Sequence, residues 1–315
     1  MRTVRLPAVA VLLLGLAACT GDTPPAPAGA TPARSAAAAP AAAVESAGPA
    51  PAVLVGAGDI ATCDGTGDSR TADLVARIPG TVFTLGDNAY DRGSAAEFRR
   101  CYGPTWGRFK GRTRPVVGNH EYGTPGAAGH FGYFGAAAGP RPQGYYAYRA
   151  GSWLVVVLNN NCGVVPGGCG AGSPQERWLR ARLAADRGAC TVALMHEPRF
   201  TSSTVHPPST ASTALVKALY DDGVELMLAG HNHGYERFAP QTATGRRDDA
   251  RGIRQIMVGT GGARLYPFGK AAPNSEVRDA KHWGVLKLTL GAGTYRWDFV
   301  PVAGSFRDSG TGRCR

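Results

Sequence analysis

The chain of 315 residues lacks several signals that would each have decided its chemistry. No HExxH run occurs, which removes the zinc peptidase reading. Its seven cysteines contain no paired CxxC units, which argues against a zinc-thiolate site. No run of basic residues is interleaved with aromatics, so specific nucleic-acid binding is not expected. No internal repeat is present, and no apolar run reaches the roughly 20 residues that a membrane-spanning helix needs. Histidine is scarce too, at seven in the whole chain, and the places where those few fall carry information.

The two ends bound what remains. Arg2 and Arg5 precede an apolar stretch from Leu6 to Ala18, which closes on Leu16-Ala17-Ala18-Cys19. Basic residues, a short apolar run and small residues at its end read as a secretory signal over residues 1–18. The Leu-Ala-Ala-Cys junction resembles the lipobox of bacterial lipoproteins, which implies lipidation of Cys19 as the mature N-terminus; an ordinary secretory peptide with a chance cysteine is the alternative. Residues 19–51 are dominated by Ala, Pro and Gly and are too poor in large apolar groups to offset the entropy of ordering, so they read as a disordered tether. Residues 52–315 are of a size for one large α/β domain with a substantial core. The expected location is exported, either anchored to the cell surface through Cys19 or secreted, with the membrane met only through that lipid.

With Cys19 set aside, Cys63, Cys101, Cys162, Cys169, Cys190 and Cys314 form an even set that suits an oxidising compartment. Six cysteines admit many pairings. The expected ones are Cys162 with Cys169 closing a Gly-rich loop, Cys63 with Cys101 joining the loops after the first two motifs, and Cys190 with Cys314 fastening the C-terminus. The net charge of +11 falls to +9 without Arg2 and Arg5; a basic surface favours anionic substrates such as phosphate esters or nucleotides, and equally an anionic cell envelope.

Five apolar runs each end in a glycine or a polar residue: Ala52 to Asp59, Thr81 to Asp87, Arg114 to Asn119, Thr191 to His196 and Val224 to His231. Each reads as a short buried strand, with helical patterns between several of them. In open α/β sheets ligands bind beyond the carboxyl ends of the strands, so the polar residues are expected to converge on one edge of one sheet. They are Asp59, Asp87, Tyr90, Asn119, His196, His231 and His233, a ligand list for two metal ions. Singly, an Asp after a Gly is more often a turn or cap residue than a ligand. His231 and His233, two apart in an extended segment, are expected to point the same way. The set carries the weight, because His120, His196, His231 and His233 all sit in these strand-end motifs.

In this order the motifs around Asp59, GDNAY from Gly86, GNHE from Gly118, His196 and GHNH from Gly230 resemble the calcineurin-like metallophosphoesterase signature. GDNAY and the run His231 to Arg237 are similar to the GDxxY and HxHxYER segments of purple acid phosphatases. Ala61 departs from the common pattern, which has a histidine there, and the resemblance implies that Tyr90 takes over as a phenolate ligand. It further implies one ion held by Asp59, Tyr90, His233 and a shared Asp87, and a second held by Asp87, Asn119, His196 and His231. Phenolate suits Fe(III), while imidazole and amide oxygen suit Zn, Mn or Fe(II). A phosphomonoester would be attacked by hydroxide generated at the metal pair, with His120 and His206 as catalytic candidates near the leaving oxygen.

Elsewhere the reading is architectural. Pro174 to Ala185 reads as an amphipathic helix capped by Ser173, with Trp178 and Leu179 inward, and Thr210 to Tyr220 as another. Tyr145 to Arg149 with Trp153 to Leu158, and Trp283 to Leu290 with Tyr295 to Val300, read as hairpins. The fold class is therefore α/β of mixed type, two mixed β-sheets packed as a sandwich flanked by helices, as in metallophosphoesterases. Two alternatives to the acid phosphatase reading stay open: a phosphodiesterase or nucleotide hydrolase with the same site, and a catalytically silent surface-binding lipoprotein.

Overall fold

The computed structural model describes residues 50–314. The expected leader, Cys19 and nearly all of the expected tether lie outside the described residues. The first sheet contains β1 (Ala52–Ala57), β2 (Thr81–Thr84), β3 (Thr113–Arg114), β11 (Gly284–Gly291), β12 (Thr294–Pro301) and β13 (Ser309–Arg313), in the order β13-β12-β11-β1-β2-β3. Its β1, β2 and β3 run parallel, and β11, β12 and β13 are added antiparallel. The second sheet contains β4 (Tyr146–Ala150), β5 (Trp153–Val157), β6 (Thr191–Leu194), β7 (Leu226–Ala229), β8 (Tyr235–Phe238), β9 (Arg254–Val258) and β10 (Ser275–Asp279), in the order β10-β8-β9-β7-β6-β5-β4. There β5, β6, β7 and β9 are parallel. Both sheets are mixed, as expected.

Alternation along the strands of the second sheet decides how they pack. Val155, Val157, Leu194, Leu226 and Leu228 join a core that includes Phe83, Leu286 and Leu288 of the first sheet. Their neighbours Leu154, Val156, Ala193 and Met227 point the other way, onto Leu179, Leu183, Leu215 and Leu219. Those four lie on α4 (Pro174–Ala185) and α5 (Thr213–Asp221), the outer helices of that sheet. Successive side chains of a strand face opposite sides, so a sheet covered on both faces needs apolar residues at every position. Helices α1 (Gly67–Arg77), α2 (Ala95–Glu97) and α3 (Ala128–Phe134) lie between strands of the first half of the chain.

Helix α4 has the expected bounds. Ser173 accepts from the Glu176 N–H at 3.2 Å, and Pro174 occupies the first turn, where its missing donor costs nothing. Leu179 is buried; Trp178 is only partly so, with its ring 4.9 Å from Tyr145. Helix α5 begins three residues later than expected, after a turn in which Thr213 N donates to the Thr210 carbonyl. Both expected hairpins form, β4 with β5 and β11 with β12. Of the run from Arg114 to Asn119, read as a strand, only Arg114 joins the ladder, as the second residue of the two-residue β3. Pro115 has no N–H for a ladder, and the chain beyond it is irregular.

All three expected disulfides are present, with Cα–Cα separations of 4.9 Å for Cys63–Cys101, 5.2 Å for Cys162–Cys169 and 5.4 Å for Cys190–Cys314. Such bridges suit an oxidising compartment. Among the described residues no helix is long and apolar enough to cross a membrane.

Candidate metal centre

The seven candidate ligands chosen from the sequence meet, but at the ends of two sheets and not at one edge of one. Asp59, Asp87, Tyr90 and Asn119 follow β1, β2 and β3 of the first sheet; His196, His231 and His233 follow β6 and β7 of the second. Two short parallel runs, one per sheet, point their carboxyl ends at a common place.

Tyr90 Oη lies 3.1 Å from Asp59 Oδ1, 3.2 Å from Asp87 Oδ2 and 3.0 Å from His233 Nε2. On the other side, His196 Nε2 lies 3.2 Å from the same Asp87 Oδ2, 2.9 Å from Asn119 Oδ1 and 3.2 Å from His231 Nδ1. Asp87 therefore touches both groups, and the ligand atoms of Asp87, His196 and His231 lie within 4.8 Å of one another. Two carboxylates, a phenol oxygen, an amide oxygen and three imidazoles thus present lone pairs to one another with few protons between them. Cations satisfy such a donor set, and one carboxylate shared by two triads suits a pair of ions.

The tautomers are set from behind. His196 Nδ1 faces the Leu85 carbonyl at 2.7 Å, and His233 Nδ1 faces the Arg264 carbonyl at 2.7 Å. A carbonyl has no proton to give, so each Nδ1 donates and each Nε2 turns its lone pair to the cluster. His231 and His233 do not lie in an extended segment as expected. His231 has φ 69°, Asn232 N donates back to the Gly230 carbonyl, and β8 starts only at Tyr235. The turn sends the two imidazoles apart, His231 to His196 and His233 to Tyr90.

Backbone strain concentrates here as well. Asp59 and Asp87, with φ of 60° and 49°, also occupy the left-handed region, which costs a non-glycine residue about 1–3 kcal/mol. Glycines beside them leave room: a Cβ on Gly86 would lie 2.4 Å from His196 Nδ1, and one on Gly118 would lie 2.1 Å from Asp87 Oδ1.

Burial and mutual charge set the protonation of these groups when protons are the only cations. Burial pushes Asp59 up to about 8, against the pull of His196. It opposes charge on Asp87 too, but His196 holds that carboxyl below the usual range. Burial likewise resists a charge on His196, yet Asp87 and Asp59 keep it at about 10. Burial keeps His233 down at about 4, and together with the two carboxylates it holds the Tyr90 phenol well above its ordinary value.

The two catalytic candidates flank the cluster. The His120 ring lies 4.4 Å from Tyr90, its Nδ1 faces the Asp91 carbonyl at 2.6 Å, and its Nε2 is 3.9 Å from Asp87 Oδ2. His206 lies with its ring 4.3 Å from His231, half-buried, and burial depresses its pKa.

Four residues with supporting contacts escaped the sequence reading. Glu121, fully buried, accepts from the backbone N–H of Asp87, Asn88, Ala89 and Gly118 at 2.7–3.3 Å and so ties the second motif to the third. Asn160 Oδ1 accepts from His196 N and Glu197 N, both at 3.1 Å. Glu236 accepts from Ser202 N at 2.8 Å and from the Ser202 hydroxyl, holding the loop that carries His206. Tyr266 lies flat on His233, 4.0 Å away at 9°. Glu121 and Glu236 stood inside quoted motifs; Asn160 and Tyr266 carry no sequence signal of this role.

A helix-flanked pair of mixed sheets with this donor set at their joint ends defines the class, a metallophosphoesterase. The chain belongs to the calcineurin-like phosphoesterase family, whose sequence profile matches residues 48–235, a span that contains all seven candidate ligands. Within the family it falls in the purple acid phosphatase-like subset. It is 29% identical to purple acid phosphatase 21 of Arabidopsis thaliana over 253 residues, 71% of this chain and 54% of that protein. It is 30% identical to purple acid phosphatase 23 of the same plant over 169 residues, 45% of this chain and 34% of the relative. The chain thus spans between about a third and a half of these relatives. Purple acid phosphatase PPD1 from yellow lupin (Lupinus luteus) shares the fold with a TM-score of 0.63 at 18% identity, over 83% of this chain and 53% of that one. A dimetal phosphatase from Danio rerio does so with a TM-score of 0.55 at 14% identity, over 85% of this chain and 100% of that one.

Proposed function

We propose that this protein is an exported phosphomonoesterase of the acid phosphatase type with a two-metal centre. The observation that carries the reading is the double contact of Asp87, which touches the Tyr90 group on one side and the His196 group on the other. Asp59, Tyr90, His233 and Asp87 would hold one ion and Asp87, Asn119, His196 and His231 the other, with Fe(III) at the phenolate side and Zn, Mn or Fe(II) opposite. When bound, such a pair supplies Lewis acidity and a hydroxide near neutral pH.

The chain's own groups do the rest. His120, anchored through Nδ1 on the Asp91 carbonyl, presents Nε2 beside the cluster as a proton donor for the leaving oxygen. His206 stands over His231 as a second donor. The basic surface favours encounter with anionic esters. Cys19 is the proposed lipid attachment, residues 19–51 the tether and 52–315 the catalytic domain.

Elemental analysis with a visible spectrum tests the metal assignment: a charge-transfer band lost in Tyr90→Phe supports Fe(III) at that side, and zinc or manganese alone without a band removes the iron. Faster turnover of bis-aryl than of mono-aryl phosphates would replace the monoesterase by a diesterase. No hydrolysis of either by metal-loaded protein would leave a binding protein.

A further inference from the structure

Strand β5 ends at Val157, but its alternation runs on into three consecutive asparagines. Val155 and Val157 face the core between the sheets, whereas Leu154, Val156 and Leu158 face the outer helices. Continued at period two, Asn159 and Asn161 belong on the side of the first sheet and Asn160 on the other. Their hydrogen bonds follow that division. Asn159 Nδ2 donates to Tyr122 Oη at 2.7 Å and to the Gln143 carbonyl at 2.8 Å, and Asn161 Nδ2 donates to the Val117 carbonyl at 3.1 Å. Asn160 stays with its own sheet, where its Nδ2 donates to the Glu197 carbonyl at 2.7 Å while its Oδ1 takes the His196 N–H.

The asparagines that cross between the sheets are held in one orientation. Asn159 Oδ1 accepts from Asn161 Nδ2 at 2.9 Å and from the Asn161 N–H at 3.3 Å. Flipping the Asn159 amide would set its NH2 against those donors and its oxygen against the Gln143 carbonyl. Behind it, the fully buried Gln175 of α4 clamps the Asn159 backbone: Oε1 accepts from the N–H at 2.9 Å and Nε2 donates to the carbonyl at 2.8 Å. Asn159 and Asn161 are themselves buried, and a satisfied buried polar network is rigid.

What this network grips is the turn that carries Asn119 and His120. Val117 precedes the pair and Tyr122 follows it, and the Tyr122 N–H donates to the Asn119 carbonyl at 3.1 Å. Both flanks of the turn are thus tied to the second sheet. We propose that Asn159 and Asn161, braced by Gln175, are positioning residues that hold the His120 imidazole beside Tyr90 and Asp87, a role that deepens the phosphoesterase reading and rests on it. His120 Nε2 must meet the leaving oxygen within hydrogen-bond reach, and a displacement of about an ångström at such a place can cost on the order of a hundredfold.

A double-mutant cycle between Asn159→Leu and His120→Ala in the metal-loaded full chain tests this. With His120 present, Asn159→Leu should lower kcat about tenfold on an alkyl phosphate and much less on an activated aryl phosphate, with KM and metal content as in the wild type. In the His120→Ala chain the same substitution should cost less than about twofold. NMR of the His120 ring nitrogens, identified by their loss in His120→Ala, is a readout independent of turnover, and those signals should shift in Asn159→Leu and in Tyr122→Phe. Should Asn159→Leu fail to fold, Tyr122→Phe, which removes only the hydroxyl, takes its place in the cycle. Additive losses, no loss from His120→Ala on either ester, or His120 ring signals unmoved in a folded variant overturn the role. Absence of hydrolysis by every metal-loaded form fails the phosphoesterase reading instead, and the ring signals then decide the positioning alone.

Discussion

The candidate centre has two halves of different chemistry. The first sheet supplies only oxygen: the carboxylates of Asp59 and Asp87, the Tyr90 phenol and the Asn119 amide. The second supplies only nitrogen, from His196, His231 and His233. Each proposed ion draws on both, so neither sheet holds a complete site alone. The halves are also fixed differently. On the oxygen side one buried carboxylate, Glu121, gathers four backbone amides behind Asp87 and Gly118. On the nitrogen side two of the three residues lean on the first sheet, the His196 ring on the Leu85 carbonyl and the His231 backbone N–H on Asp59 Oδ2 at 2.8 Å, while the His233 ring rests on the Arg264 carbonyl beyond β9 of its own sheet. Around Asp87 the oxygen half is organised from within, and the nitrogen half partly from within and partly by docking on the first sheet.

The largest effect is expected where the halves join. Asp87→Asn removes the shared carboxylate charge and should lower kcat/KM by about a thousandfold or more, with metal content falling below two ions per chain; a variant that keeps both ions and its activity would break the picture of a bridge. Next, His120→Ala should cost on the order of a hundredfold with poor leaving groups and much less with activated aryl esters. Equal losses with both would make His120 a binding group.

Glu121→Gln should weaken metal binding about 10- to 100-fold, because an amide NH2 is forced against backbone donors behind Asp87. Asn160→Leu, on the nitrogen side, should cost less, as His196 keeps its Leu85 contact. Metal titration of both variants sharpens the comparison, and the reverse ranking would sink it.

A last effect, away from the centre, concerns stability in acid. His130, on α3, is fully buried with both ring nitrogens unpartnered and aromatic rings of Phe98, Phe131 and Phe134 around it. Burial depresses it to about 3. Below the unfolded value near 6.5 the unfolded chain takes up a proton that the native state refuses, so stability is lost as pH falls toward 3. Between pH 7 and 4.5 that loss is about 2–3 kcal/mol. His130→Phe should remove it, read as a smaller pH dependence of the urea midpoint.

Much of this was visible in the chain itself, for a physical reason. The strand-end motifs are local: an apolar run, a glycine that lets the backbone turn, then a polar side chain. The hairpins, α4 with its Ser173 cap and the cysteine positions are local too. What could not be read depends on contacts between distant segments. Nothing near Val224 to His231 says that this strand lies in a different sheet from Ala52 to Ala57, since that is decided by β11, which pairs β1 from more than two hundred residues away. The left-handed turn at His231 overrode the extended reading because the Asp59 carboxylate holds its N–H, and Asn160 looks like a loop residue until His196 is placed beside it.

The sequence by itself determined which residues are available for chemistry and that they stand at strand ends, because hydrophobic periodicity and turn geometry act over a few residues. Only the tertiary structure decided that oxygen and nitrogen donors come from separate sheets and face each other across Asp87. The burial of both inner sheet faces in one core sets that docking, and no local pattern encodes it.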